Sequence, residues 1–366
     1  MLCLNNGTLN LQTREPLQHN PAHNLRHKHD FAWNEEAKCP KWLQFLDDVF
    51  RDDQDKQQKI TFIQQWMGYC LTPSTVHQKM LILLGDGANG KSVFLKLLSA
   101  LVGQNTSCIP VDQFSRKEAR AELEGKLLNI SSEMSSKAWR DTSHLKAIVA
   151  GDEIEARKLY ENSYSFKPTA RVVVATNNLP QVMDHSHGFF RRLIILKFNR
   201  KFSPAEQNRD LEQELLEELP GILVWAVVGQ QTLLAQAAFT IPKSSEEYLA
   251  RYQVESDDVL LFLDEEMESA STGDGILSKH LYALYQRWAK DSGLPSMDKY
   301  TFGKRLSRAG ISSRHTRGGT AYALKMKTPA PVTTEPAEGS GDNIGETAPL
   351  PPTGTNTMIT EGSTLQ

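Results

Sequence analysis

The stretch that most restricts this chain is Leu81-Ile82-Leu83-Leu84-Gly85-Asp86-Gly87-Ala88-Asn89-Gly90-Lys91-Ser92. It reads as an apolar strand, a glycine-rich turn and the start of a helix. Gly85 to Ser92 fits the pattern G-x-x-x-x-G-K-[ST], in which glycines let the backbone wrap around a phosphate with its N–H groups inward. Lys91 places a cation at the β/γ-phosphates and the Ser92 hydroxyl can ligate Mg²⁺. The run Met80–Leu84 suits a buried strand. Phe94, Leu97, Leu98 and Leu101 then recur at helical spacing up to Gly103, so the positive end of a helix faces the same anion. This predicts a nucleotide-binding α/β core, with Gly85, Asp86, Gly87, Ala88, Asn89, Gly90, Lys91, Ser92 and Val93 around the nucleotide.

The chain has 366 residues, which allows several domains and a sizeable core. No apolar run approaches the roughly 20 residues that span a bilayer, and no secretory signal opens the chain. Cys3, Cys39, Cys70 and Cys108 are scattered without a C-x-x-C pair. That pattern predicts reduced thiols in a cytoplasm and no disulfide framework, and the short apolar runs predict no membrane partner. The net charge of −3 hides blocks of opposite sign. Glu255–Ser278 carries eight acids and no base, and Lys279–Lys327 carries eleven bases against two acids. A block like the second meets nucleic acid or forms a solvated surface.

Read in order, residues 1–40 form a partly irregular lead-in. His19, His23, His27, His29 and Asp30 invite a metal reading, opposed by the absence of a supporting cysteine and by the Asn- and Pro-rich setting. Residues 41–78 carry helical spacing (Trp42, Phe45, Leu46, Phe50; Ile60, Ile63, Trp66, Met67) and predict a small helical subdomain whose aromatics are core. Residues 79–240 form the ATPase core with a helical lid. Within it, Lys126–Glu133 reads as a strand ending in Glu133, the acid that serves Mg²⁺ and the attacking water in such folds. Ile154–Phe166 reads as a hairpin turning near Glu161-Asn162, with Arg157 and Lys158 side by side and Tyr160 available to stack on a base. Arg171–Thr176 is a buried strand ending at Asn177, either a γ-phosphate ligand or part of an Asn-rich turn. Arg191 and Arg192 precede the next strand, either as surface charge or as the charge that meets a neighbour's nucleotide. Residues 255–327 run helix, helix, basic hairpin, a winged-helix pattern that fits DNA or protein. Residues 328–366 are acidic and rich in Pro, Gly and Thr, which predicts disorder.

Taken together, these ordered features resemble the superfamily 3 helicases, in particular the helicase part of phage and plasmid primase–helicases related to the poxvirus replication ATPase. The resemblance rests on the Gly85–Ser92 loop; Ser132-Glu133; Ala150-Gly151-Asp152 followed by Ala156-Arg157-Lys158-Leu159-Tyr160; Ala175-Thr176-Asn177-Asn178-Leu179-Pro180; and Phe189-Phe190-Arg191-Arg192-Leu193. It covers about residues 35 to 325. It implies an AAA+-type core assembling as a ring, usually a hexamer, with ATP between subunits, acting on single-stranded and forked DNA in phage or plasmid replication. Lys91 and Ser92 would then serve phosphate and Mg²⁺, Glu133 Mg²⁺ and water, and Asn177 the γ-phosphate. Arg191 or Arg192 would act in trans, and Arg157 and Lys158 would track DNA. Two departures stand out. Ser132 occupies a position where many such helicases carry a second acid, and the 80 residues before the core strand are too few for a primase, so the chain would be a stand-alone helicase, a truncated product, or a partner of a separately encoded primase or other replication proteins. The alternatives are another phosphate-loop motor or remodelling ATPase, and an ATP-binding initiator or adaptor that does not unwind.

Overall fold

The computed structural model describes residues 1–132, Trp139, 141–270 and 275–327. Glu133 and the tail 328–366 lie outside the described residues. Within the lead-in, three short strands, β1 (Leu2–Leu4), β2 (Gly7–Leu9) and β3 (Pro16–Leu17), pair antiparallel. They bury Leu2, Leu4, Leu9 and Leu11. Strands of two or three residues leave no readable alternation, so this sheet has no sequence signature. The histidines disperse: His23 meets the Thr8 hydroxyl, His27 the Gln104 side chain, and His29 is buried beside Phe31. Among the described residues no three His, Cys, Asp or Glu side chains gather to hold a metal.

Helices α1 (Pro40–Val49) and α2 (Lys56–Cys70) lead to the central sheet. Its strands are β4 (Met80–Leu84), β5 (Thr106–Ser107), β6 (Leu128–Ser131), β9 (Arg171–Thr176) and β10 (Leu193–Lys197), all parallel, in the order β10-β4-β9-β6-β5. Helix α3 (Lys91–Val102) follows β4, and the short helix α4 (Lys117–Ala121) follows β5. Helix α5 (Ser143–Ala150), the antiparallel hairpin of β7 (Ile154–Ala156) and β8 (Tyr164–Phe166), and α6 (His187–Phe190) complete the core connections.

The near-continuous apolar runs follow from burial on both faces. Leu81, Leu83, Val173, Ala175, Ile194 and Leu196 join one apolar cluster with α1, α2, α3 and α8 (Leu219–Gln236). Their neighbours Met80, Ile82, Val172, Val174, Leu193 and Ile195 join another with α5, α6 and Tyr252. The helices expected as a subdomain at 41–78 thus share one core with the sheet. Gly68 of α2 and Gly229 of α8 permit backbone contact between the two helices, because a Cβ would come within 2.2 Å of the Ala226 and Gln64 carbonyl oxygens respectively.

Helix α7 (Leu211–Glu217) precedes α8, and α9 (Lys243–Ser256) returns to β10, where the Ser245 hydroxyl donates to the Ile195 carbonyl. The C-terminal unit holds α10 (Asp258–Glu266), β11 (Met267–Ser269), β12 (Ile276–Leu277), α11 (Ser278–Asp291), α12 (Lys299–Arg308), β13 (Ser313–Thr316), β14 (Gly319–Tyr322) and β15 (Leu324–Met326). Val259, Phe262, Leu281, Tyr285, Phe302, Leu306 and Tyr322 form its own core, and Tyr285 stacks on Phe302 at 4.6 Å between centroids. Asp257 ties this unit to the part of the chain that holds the central sheet. It caps α10 by accepting from the Val259 and Leu260 N–H groups, pairs with Arg305 at 3.2 Å, and faces His185 at 3.8 Å. Among the described residues no helix is long and apolar enough to cross a membrane.

Candidate functional site

The Gly85–Ser92 loop leaves the carboxyl end of β4, between β10 and β9. Chain direction brings the carboxyl ends of β6 and β9 to the same edge, where ligands bind in open parallel sheets. The loop is tight. A side chain at Gly85 would strike the Asn89 amide nitrogen at 2.3 Å and the Phe198 carbonyl oxygen at 2.7 Å. At Gly90, with φ +89°, a Cβ would press on the Phe45 ring at 3.0 Å. The first turn of α3 begins at Lys91, and its leading N–H groups have no partner within the helix.

Lys91 is only 7% exposed. Its ammonium donates to the Gly85 carbonyl and, at 3.4 Å, to the Asn177 side-chain oxygen. Among the described residues no carboxylate pairs with it. Burial lowers its pKa, opposed by the more distant Asp86. The Asn89 amide nitrogen is buried without a hydrogen-bond partner. A buried cation and an orphaned donor, both aimed into one loop, suit an anion.

The loop opens onto a cleft of about 1690 Å³. One wall is α1, through Gln44, Phe45 and Asp48. The other is the segment after β10, with Phe202, Glu206 and Gln207. The Phe202 N–H donates to the Ala88 carbonyl at 2.8 Å, and the Arg200 guanidinium lies 4.5 Å from the Phe202 ring centre while donating to the Asp48 carbonyl. Sequence reasoning missed both walls. Phe45 reads as core, and nothing local marks Phe202. Asn177 and Ser132 line the cleft at the ends of their strands, next to Ile130 of β6. Glu133, the expected acid, falls outside the described residues.

Arg191 and Arg192 lie elsewhere. The register of β10 on β4 aligns Leu193 with Met80 and Lys197 with Leu84, so both arginines sit at the amino end of the sheet. Five residues of strand, about 16 Å at roughly 3.3 Å each, separate them from the loop of their own chain. Arg191 is exposed and donates to the Gln78 side chain at 2.7 Å. Arg192 is partly buried and donates to the Gly188 carbonyl.

The β7–β8 hairpin stands outside the sheet against α4. Its two bases are engaged: Arg157 with Glu118 at 2.5 Å and Lys158 with Glu124 at 3.7 Å. The Tyr164 hydroxyl, pushed up to about 12 by burial and by Glu124, also donates to Glu124 at 3.0 Å. Tyr160 is fully exposed with φ 65°, a left-handed conformation that bulky residues rarely adopt.

Three family models match parts of the chain: D5 N terminal like over residues 1–51, a family of unknown function (DUF5906) over 83–192, and Poxvirus D5 protein-like over 254–328. The L207/L206 protein of Acanthamoeba polyphaga mimivirus, named a helicase, is 26% identical over 174 residues, covering 45% of this chain and 18% of that protein. The C962R protein of African swine fever virus (strain Badajoz 1971 Vero-adapted), named a primase, is 25% identical over 232 residues, covering 57% and 24%. The chain thus spans about a quarter or less of the length of these relatives. Among solved structures, the NrS-1 C-terminal region shares the fold at a TM-score of 0.52 and 15% identity, covering 81% of this chain and 79% of that one. With D5-type models matching both ends and viral proteins named helicases and primases among those it resembles, the chain is similar to D5-type replication proteins.

Proposed function

We propose that this chain is the ATP-driven helicase part of such a replication protein, with a phosphate loop at Gly85–Ser92, a C-terminal winged helix, and a ring of subunits that share their ATP sites. The observation that carries the reading is Lys91: a buried ammonium that pairs with no carboxylate among the described residues, in a glycine loop at the carboxyl edge of a parallel sheet. ATP with Mg²⁺ would supply the phosphoanhydride bond and the cation that neutralises it. The loop and first helical turn, Gly85 to Val93, would hold the phosphates, and the Ser92 hydroxyl would face the metal. When Lys91 turns to phosphate it leaves the Gly85 carbonyl and Asn177, freeing the Asn177 side chain to orient water or the terminal phosphate. Glu133 would be the acid that polarises that water, since its neighbours Ile130 and Ser132 line the cleft.

The separation of Arg191 and Arg192 from their own loop supports action on a neighbour's ATP. Arg191 is the better finger, because it is exposed and its guanidinium is bonded only to a side chain, Gln78, among the described residues, whereas Arg192 is partly buried and holds the Gly188 backbone carbonyl. On the hairpin, Arg157 and Lys158 would exchange Glu118 and Glu124 for DNA phosphates, and the projecting Tyr160 would meet a base. The test is ATP turnover of the purified chain with and without single-stranded DNA, beside unwinding of a fork. Stimulated turnover with unwinding supports the helicase. Turnover indifferent to DNA points to another phosphate-loop motor, and nucleotide binding without turnover to an adaptor.

A further inference from the structure

The seam between the β7–β8 hairpin and α4 is crossed by charge in both directions. Arg157 and Lys158 are the only bases between Ile154 and Phe166, and each meets an acid from α4 or the turn after it. The Arg157 guanidinium lies 2.5 Å from Glu118 Oε1, and the Lys158 ammonium 3.7 Å from Glu124 Oε2. The Tyr164 hydroxyl of β8 donates to the same Glu124 oxygen at 3.0 Å. In return, Lys117 of α4 pairs with Glu155 of β7. This seam rests on a fixed base. Arg120, 3% exposed, donates to the Phe114 and Ser115 carbonyls on its own side and to the Glu155 carbonyl on the hairpin side. The Arg157 N–H donates to the Lys117 carbonyl at 3.2 Å. The side chains above that base have no such cover, since every residue from Arg157 to Ser163 is exposed.

We propose that Glu118 and Glu124 form an autoinhibitory latch: without nucleic acid they occupy both bases of the hairpin, and a single strand binds only by displacing them. The inference rests on the reading of Arg157 and Lys158 as strand contacts, and adds that two acids of the same chain hold that contact below its full strength. The latch engages every cation the hairpin has. Successive residues of an extended chain point to opposite sides, so one acid could not serve both bases, and the seam supplies two. The latch can also open. Both pairs are about half exposed, and exposed ion pairs are weak and screened by salt. Only the side chains need move, because Arg120 and the Lys117 carbonyl hold the backbone of the seam. A polyanion is the ligand suited to open it. A base that neutralises a phosphate of a nucleic-acid strand releases condensed counterions, a gain that neither an isolated anion nor the latch carboxylates provide. The latch therefore yields to a strand and resists scattered small anions.

The test is fluorescence anisotropy with a labelled oligothymidylate at about 50 mM salt. It compares the parent, the acid variant Glu118→Gln/Glu124→Gln, the base variant Arg157→Ala/Lys158→Ala, and the two combined. Glutamine keeps the length of each side chain and an acceptor for Tyr164 while removing the charge. The acid variant should bind about 2- to 30-fold more tightly than the parent, the factor that two exposed ion pairs together contribute. The gain should vanish in the combined variant, which should bind as the base variant does, because no hairpin cation is left to release. A gain that persists there would overturn the latch, since it would reflect only weaker repulsion between protein and DNA. So would a gain no larger than that of Glu122→Gln/Glu161→Gln, exposed acids near the same seam that no base pairs with among the described residues. An acid variant that binds no more tightly than the parent, with the parent's melting temperature, would overturn it as well. If the double acid variant melts early, Glu124→Gln alone, in the turn after α4, should show part of the gain, and its absence would count against the latch. Parent-level binding by the base variant would remove the hairpin from DNA binding and the latch with it. Weakened binding by the base variant with no gain in the acid variant would strike the latch alone.

Discussion

Replacing Lys91 by methionine keeps the aliphatic stem and removes only the ammonium. Without nucleotide, that ammonium makes two bonds, to the Gly85 carbonyl and to Asn177. Each contributes about 1 kcal/mol net, offset by the burial that lowers the Lys91 pKa. Lys91→Met should therefore change the stability of the empty protein by less than about 1 kcal/mol. The sign with pH is defined. The unfolded chain holds the Lys91 proton more tightly than the folded one, so the burial penalty is present in full below the folded pKa and fades as pH rises above it. Any gain from the substitution is thus largest near neutrality and shrinks toward 10.5, the ordinary lysine value.

With nucleotide the effect reverses. A charge-assisted bond to phosphate contributes about 1.5–3 kcal/mol, so affinity should fall about 10- to 150-fold. At a ligand concentration 100 times the parent Kd the parent gains about 2.7 kcal/mol, and a variant about 100-fold weaker gains about 0.4 kcal/mol. Thermal melts with a non-hydrolysable ATP analogue and Mg²⁺ read both quantities. A variant that keeps the parent's ligand-induced shift would refute the anion site. A loss of several kcal/mol in the empty protein would instead make Lys91 a structural strut.

Arg191→Ala should cut turnover by about 10³-fold or more, and mixing it with the Lys91 variant should recover part of the activity; co-assembled mixtures that stay inactive at every ratio would speak against action in trans. Arg157→Ala/Lys158→Ala should weaken single-stranded DNA binding, flatten its salt dependence by up to about 0.7 per lost contact, and abolish unwinding; parent-level unwinding would remove the hairpin from the mechanism. Burial opposes ionisation of Asp184, yet bonds from Lys146, Ser186 and Thr142 hold its carboxyl well below the usual range. Its stabilisation is therefore present above the ordinary value of 3.8 and lost as pH falls below it. Asp184→Asn should cost about 1–3 kcal/mol at neutral pH and flatten the acid limb of a denaturation series, and an acid limb identical to the parent's would show that the group does not act.

The local pieces of this protein were legible because their signals are short in range. Apolar runs at Met80–Leu84 and Arg171–Thr176 give strands β4 and β9, a glycine loop separates β4 from α3, and Gly318-Gly319 marks the turn into β14. The alternation that sends Leu81 to one core and Ile82 to the other follows from the two-residue period of any strand. The resemblance to superfamily 3 helicases also came from short motifs, made specific by their order along the chain.

What only the tertiary structure decided involves residues far apart in the chain, whose encounter no local pattern encodes. The Phe202 N–H meets the Ala88 carbonyl, and Phe45 walls the same loop, because β10 pairs beside β4 and carries its following segment over the cleft. The same register sends Arg191 and Arg192 to the opposite end of the sheet. Glu118 and Glu124 engage the two hairpin bases from α4 and the segment just after it. In the C-terminal unit, three bases alike in sequence divide into an inward Arg305 and an outward Lys304 and Arg308, since a helix turns successive side chains to different sides and only one of those sides faces Asp257.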